Sequence, residues 1–206
     1  MSHTELKPVT VPASLVRAAH TCIAKKDVRY YLTGFCLFSS GRIVGTNGHI
    51  MFSAKLDDAA IPDKDVVIRL SGKIPPKAEY VRFDFSQGIA LAGGKAITFD
   101  VIDESFITEA AIDRVIPPRE RTAHTDGFGI SSVYLATIAD AFNGAPVSIS
   151  HGTEMESVRV EYRGFHPELM QSVMVIMPLR TPDKFRTLYT ESPEEVIADY
   201  KKAQAA

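Results

Sequence analysis

The 206-residue chain holds only two cysteines, Cys22 and Cys36. Both lie among apolar neighbours, so they read as buried thiols rather than as a disulfide or a metal pair. No apolar run approaches the roughly 18–20 residues that a membrane helix needs. The opening Met1-Ser2-His3-Thr4-Glu5 lacks the basic-then-apolar pattern of a secretory leader, and the expected location is a reducing cytoplasm. Neither sign of charge dominates: 23 Lys and Arg stand against 25 Asp and Glu, for a net charge of -2. That balance excludes a protein that wraps nucleic acid with its entire surface, yet it permits positive charge gathered on one face.

The sequence is equally short of reactive motifs. Gly41 to Gly48 does not run into Gly-Lys-Ser/Thr and a helix, so it is not a phosphate loop. There is no Gly-x-Ser-x-Gly elbow, and the six histidines are scattered. His49 has no second His, Cys or carboxylate at metal-ligand spacing, which favours a turn histidine packed against Met51 or a neighbouring strand. Glu154 and Glu156, on either side of Met155, read as solvated hairpin charges. No cofactor, metal or catalytic residue is expected, and the chain reads as a non-enzyme.

What the sequence does hold is β-structure with a few helices, an α+β pattern large enough to bury a core. Pro12 and Ser14 open a helix in which Leu15, Ala18, Ala19, Cys22 and Ile23 recur at three- and four-residue spacing. Tyr30, Leu32, Phe35, Leu37 and Ile43 follow as β-formers, with tight turns at Gly41-Arg42 and Asn47-Gly48. After a linker at 57–63 comes a strand from Asp65 to Leu70. Ser71–Lys77 cannot be an ordinary helix, because Pro75 and Pro76 are adjacent. Period-two alternation then predicts strands around Val81-Phe83-Phe85 and Ile97-Phe99-Val101, with a turn at Gly93-Gly94. Residues 103–126 read as a connector, marked by Pro117, Pro118 and Arg119-Glu120-Arg121. Phe128-Gly129-Ile130 opens a third unit, in which Ser131 or Ser132 caps a helix over 133–142 that Asn143-Gly144 stops. Strands follow at Val147–Ser150, Ser157–Tyr162 and Ser172–Met177. Ser192-Pro193-Glu194-Glu195 is a capping box for a short tail helix reaching about Gln204.

The run Arg29-Tyr30-Tyr31-Leu32-Thr33-Gly34, with Thr46-Asn47-Gly48-His49 at the matching distance, resembles the half-module of the bacterial DNA polymerase III β sliding clamp. Val175-Ile176-Met177-Pro178-Leu179-Arg180 is similar to that family's C-terminal Val-Val-Met-Pro-Met-Arg. The resemblance implies a DNA-clamp-like fold of repeated β-α-β-β-β half-modules, with antiparallel sheets outside and helices on the inner face. It implies a clamp-like domain over 1–117 whose second half-module lacks its helix. A connector at 118–126, a half-domain over 127–180 and a tail at 181–206 would follow. Such brevity suits a phage-encoded or mobile-element version of the family.

In the family the Thr-Asp-Gly-His-Arg turn and the Met-Pro-Met-Arg terminus line an apolar pocket for the clamp-binding peptide of polymerases and repair proteins. Carried over, the pocket would comprise Thr46, Gly48, His49, Ile50, Met51, Arg114, Val115, Val175, Met177, Pro178 and Leu179. Asn47 stands for the usual Asp, and Ile50 for the usual Arg. Helices of a clamp face DNA, which nominates Arg17, Lys25, Lys26 and Arg29 for weak, non-specific contact with the duplex.

The resemblance therefore implies a processivity factor that encircles DNA and docks a polymerase. A family ring has about twelve half-modules and this chain about three, so enclosure needs a homo-oligomer, a tetramer or a dimer, joined by an edge strand of the first module and one of the last. Two alternatives stand beside it. The chain could be a clamp mimic that binds a host clamp, loader or polymerase without DNA, or an unrecognised hydrolase using His49 and Asp103.

Overall fold

The computed structural model describes residues 6–57, 61–102, 107–118, 130–152 and 156–178. Val9 and Val11 point inward from a short strand, β1 (Val9–Pro12), which runs straight into helix α1 (Ala13–Cys22). Leu15, Val16, Ala18, Ala19 and Cys22 form the buried stripe of that helix. Strands β2 (Phe35–Phe38), β3 (Arg42–Thr46) and β4 (Ile50–Lys55) follow as an antiparallel meander. The close seat of α1 on this meander depends on Gly45. A Cβ built there would lie 1.9 Å from the carbonyl oxygen of Ala19, so no side chain fits between strand and helix.

Strand β5 (Val66–Leu70) leads into a segment, 71–79, without helix, as the two prolines require. The strands β6 (Tyr80–Asp84), β7 (Ile89–Ala92) and β8 (Lys95–Ile102) complete this part. Helix α2 (Glu109–Val115) and helix α3 (Ser132–Ala141) come next, then β9 (Val147–Ser150), β10 (Val158–Tyr162) and β11 (Ser172–Ile176). Asn143 at φ 51° and Gly144 at φ 70° end α3, and the Gly144 amide donates to the Ala139 carbonyl at 2.8 Å, a left-handed helix stop.

Among the described residues the eleven strands form one sheet in the order β1-β6-β7-β8-β5-β2-β3-β4-β11-β10-β9, with every neighbouring pair antiparallel. The sheet has two distinct faces. On one, α1 and α3 pack against a large core that includes Phe35, Phe52, Phe83, Phe142 and Met174. On the other, Ile112 of α2 caps a smaller cluster made by Cys36, Phe38, Val44, Met51, Val67, Val173 and Val175. The cysteines thus lie buried on opposite faces as free thiols, and desolvation pushes both well above the ordinary thiol range.

Four expectations change. Tyr30–Thr33 is a 3-10 turn rather than a strand, because the Leu32 amide donates to the Arg29 carbonyl and only Leu32 is buried. The segment 80–102 has three strands where alternation indicated two: β7 sits between Gly88 and Gly93, both at positive φ. The connector contains α2, capped by Thr108, whose hydroxyl accepts from the Ala111 amide. Ser131 stands at the start of α3 without a side-chain cap bond. The tail helix, Phe128-Gly129, Glu154 and Leu179 lie outside the described residues.

Candidate nucleic-acid groove and peptide site

Helices α1 and α3 lie side by side, and segment 71–79 is tied to α1 through Arg17. Together they border an open groove of about 2080 Å³. Of the four cations predicted to face DNA, all line this groove, but they are not equivalent. Lys25 and Lys26 are exposed just past the end of α1. Arg29 is held by Asp27, to which its Nε and Nη2 donate at 3.0 and 2.9 Å. These bonds and the Arg29 amide hold the Asp27 carboxyl down to about 2. Arg17 is half-buried and engaged within the protein. Its Nη1 donates to the carbonyls of Pro75 at 3.1 Å and Ala78 at 3.2 Å, so its hydrogen bonds go to the helix-free segment. Sequence reasoning missed Lys73 and Lys77, both exposed on that segment and both lining the groove.

The α3 side is different in charge. It presents Tyr134, Thr137 and Asp140, and the neighbouring segment adds His166 and Glu168. Ser14 at the start of α1 donates to Glu168 at 3.0 Å, which ties that segment to the helix. Burial of His20 on α1 pushes its imidazole below the ordinary value.

The second site lies where β4 and β11 meet. Asn47 builds the turn before β4: its Oδ1 accepts from the amides of His49 at 2.9 Å and Ile50 at 3.0 Å. The Thr46 hydroxyl accepts from the Gly48 amide at 3.0 Å, and Gly48 adopts φ 88°. An Asn serves this turn as well as an Asp, since only the carbonyl-type oxygen is used. The His49 carbonyl then accepts from the Met177 amide at 2.8 Å, extending the β4–β11 ladder. His49 itself is exposed.

Met51 and Val175 are opposite one another in this ladder and buried under Ile112 and Ile116. Val115 at the end of α2 is 42% exposed, and Met177 is 46% exposed. The Ser157 hydroxyl donates to the Val115 carbonyl at 3.2 Å, just before Val158, which pairs with Ile176. Val115 and Met177 therefore come to the same end of the sheet. Arg159 reinforces this end: its Nη1 donates to the Pro117 carbonyl at 2.6 Å and its Nε to Glu161 at 2.9 Å. Arg114 is exposed at the last turn of α2, and Pro178 is half-buried after β11. Ile50 is the exception in the predicted set. It is 2% exposed and belongs to the core on the α1 face, because adjacent strand residues point to opposite sides.

A long antiparallel sheet with α1 and α3 packed side by side on one face is the arrangement of the DNA-clamp fold. Solved structures of bacterial sliding clamps share it. The β subunit of DNA polymerase III from Pseudomonas aeruginosa matches with a TM-score of 0.53 at 18% identity, over 84% of this chain and 66% of that one. The β chain from Streptococcus pneumoniae matches with a TM-score of 0.58 at 16% identity, over 85% and 65%. The Caulobacter crescentus polymerase III β protein gives 0.57 at 18% identity, over 88% and 68%. This chain thus spans about two thirds of the length of the clamps it matches. No protein-family model matches the sequence, and no curated protein is similar to it in sequence.

Proposed function

We propose that this chain is a sliding-clamp-like processivity factor of DNA replication, which assembles around the duplex as a homo-oligomer and docks a peptide from a polymerase. It acts by binding, without chemistry of its own, in the cytoplasm. The carrying observation is the junction of β4, β11 and α2, which gathers Met51, Val115, Val175 and Met177 from three distant stretches of chain. Half-exposed Val115 and Met177 beside that buried base make an adaptable apolar surface for a Leu or Phe anchor. Thr46, Gly48, His49, Arg114 and Pro178 form its rim. On the opposite face Lys25 and Lys26 meet the phosphate backbone. Residues up to 117 act as one clamp-like unit and 127–180 as a half-unit.

Enclosure of DNA needs several copies. The β4 edge of the first module is already paired with β11 inside the chain, which leaves β1 and β9 as the outermost strands among the described residues. Pairing β1 of one copy with β9 of the next would extend the sheet around a closed ring, as a tetramer or a dimer. Light scattering at micromolar concentration, together with retention on circular but not linearised DNA, tests the reading. A monomeric mass near 22.6 kDa without such retention would overturn it. That outcome would promote a clamp mimic acting on a host clamp, loader or polymerase. The absence of Lys and Arg from α3 favours this second reading.

A further inference from the structure

We infer that segment 71–79, which stands where a second inner helix would be, is itself a contact for duplex DNA: Lys73 and Lys77 meet backbone phosphates, and Arg17 is the positioning residue that holds the segment in place. The inference rests on the clamp reading and names the element of the groove that carries it. A helix presents lysines on a rigid frame; a loop must obtain rigidity from elsewhere. Here it comes from three sources. Pro75 and Pro76 restrict the backbone, and the Ala78 amide donates to the Pro75 carbonyl at 3.1 Å to close a turn. Ile74 and Ala78 are buried and anchor the underside in the main core. Arg17 reaches across from α1 and its Nη1 donates to both Pro75 and Ala78 carbonyls, groups that have no helix to accept from.

The lysines that flank this turn are exposed and open onto the same groove as Lys25 and Lys26. Glu79 and Asp57 also border it, and Asp140 and Glu168 occupy the α3 side. Among the arginines that line the groove, Arg17 is directed into the loop, Arg29 is paired with Asp27 and Arg69 with Asp100, and Lys73 and Lys77 are half of its four lysines. A polyanion would be gripped on one side of the groove, along the end of α1 and the loop, and left loose along α3.

Salt-dependent binding of the full chain to a labelled duplex, read by fluorescence anisotropy, tests this. Neutralising one lysine that meets a phosphate should lower the slope of log K against log salt by about 0.9, so Lys73→Gln with Lys77→Gln should reduce it by about 1.8. Lys64→Gln with Lys95→Gln, exposed lysines that do not border the groove, should leave the slope unchanged. Arg17→Lys keeps the charge, but its ammonium ends one bond short of the Nη1 that donates to both carbonyls, and it should also lower the slope. An unchanged slope in the Lys73/Lys77 variant, or an equal reduction in the control, overturns the proposal. An unchanged slope in Arg17→Lys removes the positioning role. If the wild type fails to bind duplex even at low salt, the clamp reading falls and this inference with it.

Discussion

Replacing Gly45 by alanine tests the packing that sets the groove. The added methyl would sit 1.9 Å from the Ala19 carbonyl oxygen and 2.6 Å from its carbon. Both are backbone atoms, so no rotamer change can relieve the clash. Ordinary contact begins near 3.4 Å, and the helix must therefore withdraw by about 1.5 Å at this point. Withdrawal loosens Leu15, Val16, Ala18, Ala19 and Cys22 at once, since all are buried on the helix stripe. Overpacking in a dense core costs about 1–3 kcal/mol, and an unyielding backbone obstacle puts this case at about 3 kcal/mol. With a urea m-value of about 2 kcal/mol/M, the unfolding midpoint should fall by about 1.5 M. Gly94→Ala separates sterics from conformational cost: Gly94 has φ +78° but nothing within 4 Å of a built Cβ, so only about 1 kcal/mol of left-handed strain applies. Urea unfolding followed by circular dichroism measures both. Equal midpoints for the two variants, or no shift for Gly45→Ala, would refute the close seat of α1 on β3.

Met177→Ala with Val115→Ala should weaken a clamp-binding peptide more than tenfold, because each truncation removes about 1 kcal/mol of apolar burial and the two together about 2 kcal/mol; isothermal calorimetry checks it, and unchanged affinity would move the site elsewhere. Arg159→Met should remove the bonds to Pro117 and Glu161 and raise amide exchange across 107–118, with a stability loss of about 2 kcal/mol. The Asp27–Arg29 pair gives a signed pH dependence. The Asp27 carboxyl is depressed in the folded state, so its contribution is present above the ordinary 3.8 and is lost as pH falls through about 2. An NMR titration should show Asp27 returning toward 3.8 in Arg29→Ala, and an unmoved midpoint would show that Arg29 is not the cause.

Much of the strand order was legible because the signals were local. Gly41-Arg42, Asn47-Gly48 and Gly93-Gly94 each mark a turn where the chain does reverse, and Asn143-Gly144 stops α3 where expected. The two prolines forbade a helix over 71–79, but nothing local showed that Arg17 would satisfy the carbonyls left behind. Helix α2 was hidden because its support is tertiary: one buried Ile112, and the Arg42–Asp113 pair at 2.7 Å. Thr108 followed by Glu109, with Ile112 and Ile116 four apart, was the available signal. At the peptide site, period two already forbids Ile50 and Met51 from facing the same side, so a strand reading would have excluded Ile50. Lys73 and Lys77 were invisible as a groove element because charge count says nothing about which face carries it.

The pairing of β4 with β11 also fixes an order of events during synthesis. Ala54 lies opposite Ser172, so the strand carrying Ile50, Met51 and Phe52 must wait for a segment nearly 120 residues later in the chain. At about 5–20 residues per second, that edge stays without its neighbour for roughly 6–24 s after it leaves the ribosome. Through that interval an apolar strand edge is open to pairing with another nascent chain. A ribosome stalled between the two segments would release a polypeptide with that edge permanently open, a natural substrate for chaperones and proteases.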